Sequence, residues 1–466
     1  MPSFWPDQLA QWTDGQWTTV PTAPLSGFTV DSRQLARGDV FVALKTDKRD
    51  GHDFLFNAEA GGAAAALVAT PNRALRLPQL IVADPLAAFQ TIAREHRRAF
   101  PGRVVGISGS AGKTSTKDLL ALLLGGVEGG VVATEGNLNN HLGVPLTLTR
   151  LDPTTHTFAV VEAGISAPGE MRPLAEMIEP DVALITLIAP AHTEELGGLD
   201  GVAREKAVLP AATRAGGLAA FPQQAADFAA FRELGVRKLV LRRADVVRPA
   251  EPPKDTVYFT VTQRAGETAL SLAYGMPPPL TFTFRRVSDG MAQNAALAIC
   301  AALWLGVARD MIQARLGDWQ PARLRGEIRR EDGRLLYLDC YNANPESMAD
   351  ALKTFTAVAP DAEPRLYVLG GMEELGAEAA AYHRALGRSL HLRAGDRLFA
   401  IGTHAHEICT GVLEQGDFIR QVQVVTTLDP IAACVADWRG AVFVKGSRRY
   451  RLETIFGGAG ASLAAH

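Results

Sequence analysis

The stretch RVVGISGSAGKTSTKDLLALLL, residues 103–124, constrains the fold more than any other part of the chain. An apolar strand-like run enters a loop of small residues and leaves it as a helical pattern, with Lys113 and Thr114 at the turn. Gly106, Gly109 and Gly112 let backbone N–H groups point at an anion, and the helix that starts near Lys113 adds the positive end of its dipole. The spacing is not that of a strict Walker A loop, because Gly106 to Gly112 encloses one residue more than the motif asks; the match is the shorter GSAGKT core. We place the phosphates of a nucleotide on Gly109, Ser110, Ala111, Gly112, Lys113, Thr114 and Ser115.

Apolar patterning on either side extends this unit into a larger α/β protein. TFAVVEAG and PDVALITLIA are continuous apolar runs, the pattern of parallel strands buried on both faces. DTVYFTVTQ, TALSLAYG and LTFTFRRV alternate instead, which predicts a small antiparallel side sheet on the central domain. Strand and helix patterns also alternate before residue 100 and after the link GDWQPARLRGE. The expectation is therefore three α/β domains: 1–100, a central P-loop domain at 101–320 with a mostly parallel sheet, and a Rossmann-like domain at 321–466.

With 47 Lys and Arg against 50 Asp and Glu, the chain has a net charge of −3 and no field suited to nucleic acid or an anionic membrane. Anionic ligands must be caught locally. No segment approaches the ~20 apolar residues of a membrane span, the N-terminus MPSFWPDQLAQW has no basic leader, and the four cysteines have no metal-type spacing. These features predict a soluble cytoplasmic protein.

In a parallel sheet, ligands sit beyond the carboxyl ends of the strands. Thr114, Glu162 and His192 all fall there, so a hydroxyl, a carboxylate and an imidazole could converge on the Mg²⁺ that accompanies ATP. Glu162 as a cap or ion-pair partner, and His192 as a hydrogen-bonded structural residue, are the alternatives. Asn137, Asn139 and Asn140 in TEGNLNNHLGVPL offer amides to a polar substrate, as do Asn342, Asn344 and Ser347 in LDCYNANPESM; Asn and Pro there could equally mean a turn. Lys206 lies on a helical pattern, where an exposed lysine is the ordinary reading.

Taken in order, GSAGKTSTK, TEGNLNNHLGVPLTL, EAGISAPGEM, AHTEELGGLDGVAREK, YNANPESM, GGMEELG and VKGSR resemble the Mur ligases of bacterial cell-wall synthesis. YNANP followed by GGMEELG is most similar to the MurF branch, and no Asp-Asn-Pro-Arg segment of the diamino-acid-adding branch occurs. The resemblance implies ATP-dependent amide ligation through an acyl phosphate, with UDP-N-acetylmuramoyl-tripeptide and D-Ala-D-Ala as substrates and a monomeric enzyme. Another ligase of this fold, of a different Mur type or the folylpolyglutamate type, is the alternative. It further implies that Lys113, Lys206, His192 and Arg325 are catalytic. Thr114 and Glu162 would bind one Mg²⁺, and His192 with a carbamoylated Lys206 a second. Asn294 would lie on the adenine side, Arg325 would reach the γ-phosphate from the third domain, and Asp339 would face the nucleotide. DSRQLARGDVFVAL and RDGHDF resemble the nucleotide-sugar domain and imply substrate contacts from Ser32, Arg33, Asp50 and His52. The dipeptide would be held by Asn342, Asn344 and Ser347. The chain departs from the family pattern at Gly290, Met291, Leu338 and Gly371.

Overall fold

The computed structural model describes residues 2–244, 253–274 and 278–457, and they form three sheets in chain order. The first has five strands, ordered Gln16–Trp17, Gln79–Ile81, Ala65–Val68, Asp39–Val42, Gly27–Thr29, with only the Gln16–Trp17 pairing antiparallel. Helix Pro85–Ala99 covers it. Asp84 starts this helix by accepting from Leu86 N and Ala87 N, and Phe89 and Ile92 bury its apolar face. At the far end of the same helix Arg97 is fully buried against the second unit. It donates to Ile178 O at 2.9 Å, Glu179 O at 2.8 Å and the Asp181 carboxylate at 2.9 Å.

The second sheet has nine strands. Its core is parallel: Lys238–Arg243, Leu218–Pro222, Val182–Ile185, Arg103–Ser108, Phe158–Glu162 and Val131–Ala133 lie side by side. The alternating segments expected as a side sheet are Thr256–Gln263, Glu267–Ala273 and Leu280–Arg285. They extend this same sheet, because Thr256–Gln263 pairs parallel with Lys238–Arg243 before the chain turns antiparallel. Helix Asp289–Trp304 packs its Ala-rich face against helix Lys113–Leu124 and these strands.

Six strands make the third sheet, ordered Glu327–Glu331, Arg334–Asp339, Ala441–Lys445, Arg365–Gly370, Arg397–Ile401, Val422–Val425; all but the first pairing are parallel. Tyr337 stacks on Phe443 at 5.4 Å, with Phe355 and Tyr367 against them. The adjacent strands Arg334–Asp339 and Ala441–Lys445 end on Asp339 and Lys445, which both line the cleft of the second unit's phosphate loop. Among the described residues no helix is long and apolar enough to cross a membrane.

Candidate active site

Gly106 belongs to strand Arg103–Ser108 and not to the loop. A Cβ there would come within 3.2 Å of Ile178 and Leu209, so this glycine serves close helix-on-sheet packing. That corrects its expected part in holding an anion and explains the extra residue in the motif. The loop proper runs from Gly109 to Gly112. Gly109 has φ 149° and Gly112 φ 79°, and added Cβ atoms would fall 1.9 Å from Thr186 Oγ1 and 2.2 Å from Asn294 Nδ2. Helix Lys113–Leu124 begins directly after Gly112. Ser110 braces the loop by donating to Ala189 O at 2.8 Å and accepting from Ala189 N at 3.0 Å.

Around this loop lies a cleft of about 400 Å³ shared between the second and third units. Lys113 Nζ donates to Gly109 O at 2.9 Å. Burial holds its ammonium below the ordinary range, against the pull of Glu162, and Arg325 adds a second positive charge nearby. Thr114 Oγ1 donates to Glu162 Oε2 at 2.8 Å, while Asn139 Nδ2 donates to Glu162 Oε1 at 2.7 Å. Glu162 is thereby fixed from both sides at the end of its strand, 1 % exposed. From the third unit come Arg325, stacked 3.8 Å over the Tyr341 ring, and Asp339, paired at 2.5 Å with Lys445. Asn294 and Asn137 also line the cleft.

Lys206 is 2 % exposed on helix Leu199–Ala211, and among the described residues no hydrogen bond or ion pair engages its Nζ. Burial, with Lys113 adding repulsion, pushes its ammonium well below the lysine range. A surface lysine is therefore excluded. His192 lies within electrostatic reach of both lysines, and its Nδ1 is 2.7 Å from Glu374 Oε2.

The remaining expected residues are divided between the rim of the phosphate-loop cleft and the first unit. Asn344 accepts from Ser347 N and Ser347 Oγ accepts from Asn344 N, a reciprocal cap on helix Pro345–Val358. Both residues still line the phosphate-loop cleft, so the cap fixes Asn344 and Ser347 at its wall. Asn342 turns Oδ1 to its neighbour Ala343 N and sits in the phosphate-loop cleft. Asn140 likewise caps a turn, accepting from Leu142 N and Gly143 N. In the first unit, Asp50 accepts from His52 N and contacts its Nδ1 at 2.6 Å, while His52 Nε2 accepts from Ala69 N and Thr70 N. Arg33 forks onto Asp31, which holds that carboxyl down at about 2. Ser32 and Arg33 lie on this same first-unit segment, away from the phosphate-loop cleft.

Sequence reasoning missed Lys445 and Glu374. VKGS ends a buried strand on a lysine, which is a readable sign at the carboxyl edge of a parallel sheet. Glu374 carries no such sign, because its contact with His192 joins two units.

The sequence matches the Mur ligase family, catalytic domain, over residues 24–97, the Mur ligase middle domain over 107–241, and the Mur ligase, glutamate ligase domain over 324–448. It is 34% identical over 433 residues to the UDP-N-acetylmuramoyl-tripeptide--D-alanyl-D-alanine ligase of Escherichia coli K12, covering 92% of this chain and 93% of that one. The chain belongs to the Mur ligase family. Among solved structures, this Mur ligase superposes on MurF from Acinetobacter baumannii with a TM-score of 0.85, at 28% identity and 98% coverage of both chains. It also resembles MurF ligase from Thermotoga maritima in complex with ADP, with a TM-score of 0.77, 25% identity, and 92% and 96% of the two chains covered.

Thr114 and the buried Glu162 are oxygen donors that fit Mg²⁺ held beside a nucleotide. Among the described residues no group of three or more His, Cys, Asp or Glu converges as a closed metal cage.

Proposed function

We propose that this chain is an ATP-dependent ligase that joins D-Ala-D-Ala to UDP-N-acetylmuramoyl-tripeptide in the cytoplasm, forming an amide and releasing ADP and phosphate. The observation that carries this reading is a single cleft in which Lys113, Thr114 and Glu162 of the second unit face Arg325 and Asp339 of the third. Residues 1–100 hold the UDP end of the acceptor, 101–320 hold ATP, and 321–466 bring the amine.

The acceptor carboxylate attacks the γ-phosphorus, the bond to ADP breaks, and an acyl phosphate forms. Two anions must meet for this, so the cleft has to gather positive charge before they do. Lys113 holds the phosphates, and Arg325 completes the charge when the third unit is docked. Mg²⁺, when bound, neutralises phosphate and carboxylate oxygens; Thr114 and Glu162 hold one such ion, His192 and Lys206 a second. A carbamoylated Lys206 explains how a buried, unpaired lysine is tolerated here, since the carbamate is an oxygen ligand where an ammonium would repel the cation. Asn294 and Asp339 face the nucleoside side of the cleft. The dipeptide amine then attacks the acyl carbon, a proton leaves the nitrogen, and phosphate departs.

For the dipeptide, the best-placed surface is a second cleft of about 190 Å³, lined by Glu194, Glu374, Thr403, His404 and Tyr450. It lies at the carboxyl ends of strands Arg365–Gly370 and Arg397–Ile401, beside His192. The test is phosphate release with product mass across a panel of UDP-muramoyl peptides and amines. Turnover that needs both UDP-tripeptide and D-Ala-D-Ala supports the reading; equal use of single D-Ala, free diaminopimelate or glutamate overturns it.

A further inference from the structure

Arg325 and Tyr341 both belong to the third unit, and its own sheet brings them together. Tyr341 follows the carboxyl end of strand Arg334–Asp339, and Arg325 precedes Glu327–Glu331, the antiparallel neighbour of that strand. The guanidinium carbon lies 3.8 Å from the centre of the Tyr341 ring, and both side chains line the phosphate-loop cleft. The backbone on either side of Arg325 is tied to the same place. Leu324 O accepts from Tyr341 N at 3.3 Å, Leu324 N donates to Glu327 Oε2 at 3.2 Å, Arg325 N donates to Ala322 O at 3.2 Å, and Gly326 turns the chain with φ 70°.

What holds the guanidinium matters as much as where it is held. Among the described residues no hydrogen bond or ion pair engages it, which leaves the contact with the ring. A carboxylate in that place would also fix the group, but it would occupy N–H donors and cancel the charge. An aromatic ring does neither: its π face attracts the cation, while the five N–H donors of the guanidinium stay available to an anion.

We propose that Tyr341 is a positioning residue that holds Arg325 in its working orientation with every donor unspent. The orientation is then a property of the third unit alone, complete before that unit meets a phosphate. An arginine left free to rotate would instead lose its rotamer freedom as the transition state forms, which raises the barrier. The proposal rests on the ligase reading for the use of Arg325, though not for its geometry.

The test pairs kinetics with NMR on the full-length protein. Tyr341→Leu and Tyr341→Met, which keep apolar bulk and remove the π face, lower kcat for phosphate release by about 10-fold with KM for ATP moved less than about 3-fold, and Tyr341→Phe stays within about 2-fold of wild type. In an Arg325→Ala background, Tyr341→Leu changes kcat by less than about 2-fold, because the ring then has nothing to position. With ¹⁵N-labelled arginine, the Nε–H signal that disappears in Arg325→Ala reports a rigid group in the wild type and in Tyr341→Phe, and a mobile one in Tyr341→Leu. Additive losses in the double variant, or an Arg325 signal equally rigid in Tyr341→Leu, overturn the proposal. So does a KM for ATP that rises about 10-fold in Tyr341→Leu whether or not Arg325 is present, the result expected of a ring that stacks on the nucleobase. Failure of the wild type to ligate UDP-tripeptide would instead overturn the ligase reading, with the arginine NMR still deciding the positioning.

Discussion

Lys113 shows how far a single side chain can be read. Its place after two glycines that tolerate no Cβ puts its ammonium over the loop, bonded to Gly109 O. Lys113→Ala is expected to abolish ligation while calorimetric binding of UDP-tripeptide stays near wild type, since on the proposed reading the first unit holds most of the acceptor. Loss of both together would contradict that division. Lys206→Ala is expected to be nearly inactive and partly rescued by short carboxylic acids that enter the vacated space; full activity without rescue would remove its metal role. Lys113, Thr114 and Glu162 were legible because strand–loop–helix geometry leaves little freedom at the carboxyl edge of a parallel sheet. Lys206 was not legible from its own segment, where only the family resemblance marked it, because burial of a lysine is decided by what packs on its helix. Asn344 and Ser347 carry a second use that their segment alone did not separate from the first: they cap a helix whose N-terminus lines the cleft.

The elements around the cleft make separate demands. Helix Pro345–Val358 depends on its reciprocal cap, and Asn344→Ala is expected to cost about 1 kcal/mol in urea unfolding. A smaller stability change with a large rise in KM for D-Ala-D-Ala would return Asn344 to the substrate. His383 governs the turn that carries Glu374. Nδ1 bonds Ala379 O, Nε2 accepts from Met372 N, and burial holds the imidazole below its ordinary value of 6.5. A folded-state value below the unfolded one means the unfolded chain takes up the proton first. The stability due to neutral His383 is therefore present above about pH 6.5 and lost as pH falls from there through the folded value. Unfolding midpoints compared between pH 7.5 and 5 should fall less in His383→Gln than in the wild type. Equal acid sensitivity in the two proteins would rule His383 out. Most strands and helices follow their periodicity; what periodicity could not give was the partner of Thr256–Gln263, since alternation reports one buried face and says nothing about which sheet the strand joins.

At the scale of the molecule, the chemistry is divided between units that must meet. Arg325 follows Leu324, which also holds left-handed backbone at φ 62°, at the entry to the third unit. Arg325→Ala is expected to slow the chemical step by about 100-fold or more while nucleotide affinity measured without acceptor changes little. An affinity loss with saturated turnover intact would place Arg325 on the ground state only. The three-part α/β organisation was readable because each unit has its own patterning. The pairing of His192 with Glu374 was not, since it exists only once two units dock. The seam between the first two units is of another kind. Arg97, wholly buried, bonds two carbonyls and Asp181, which also takes Arg103 and Val104 N. Removing one partner of such a buried pair typically costs about 3–5 kcal/mol, so Arg97 ties the first two units to one another. On the proposed reading, the first two units act as a ruler between the anchor of the sugar nucleotide and the phosphate to be transferred, and an acceptor would be selected by the number of bonds from its anchor to its carboxylate before any side chain on it is inspected.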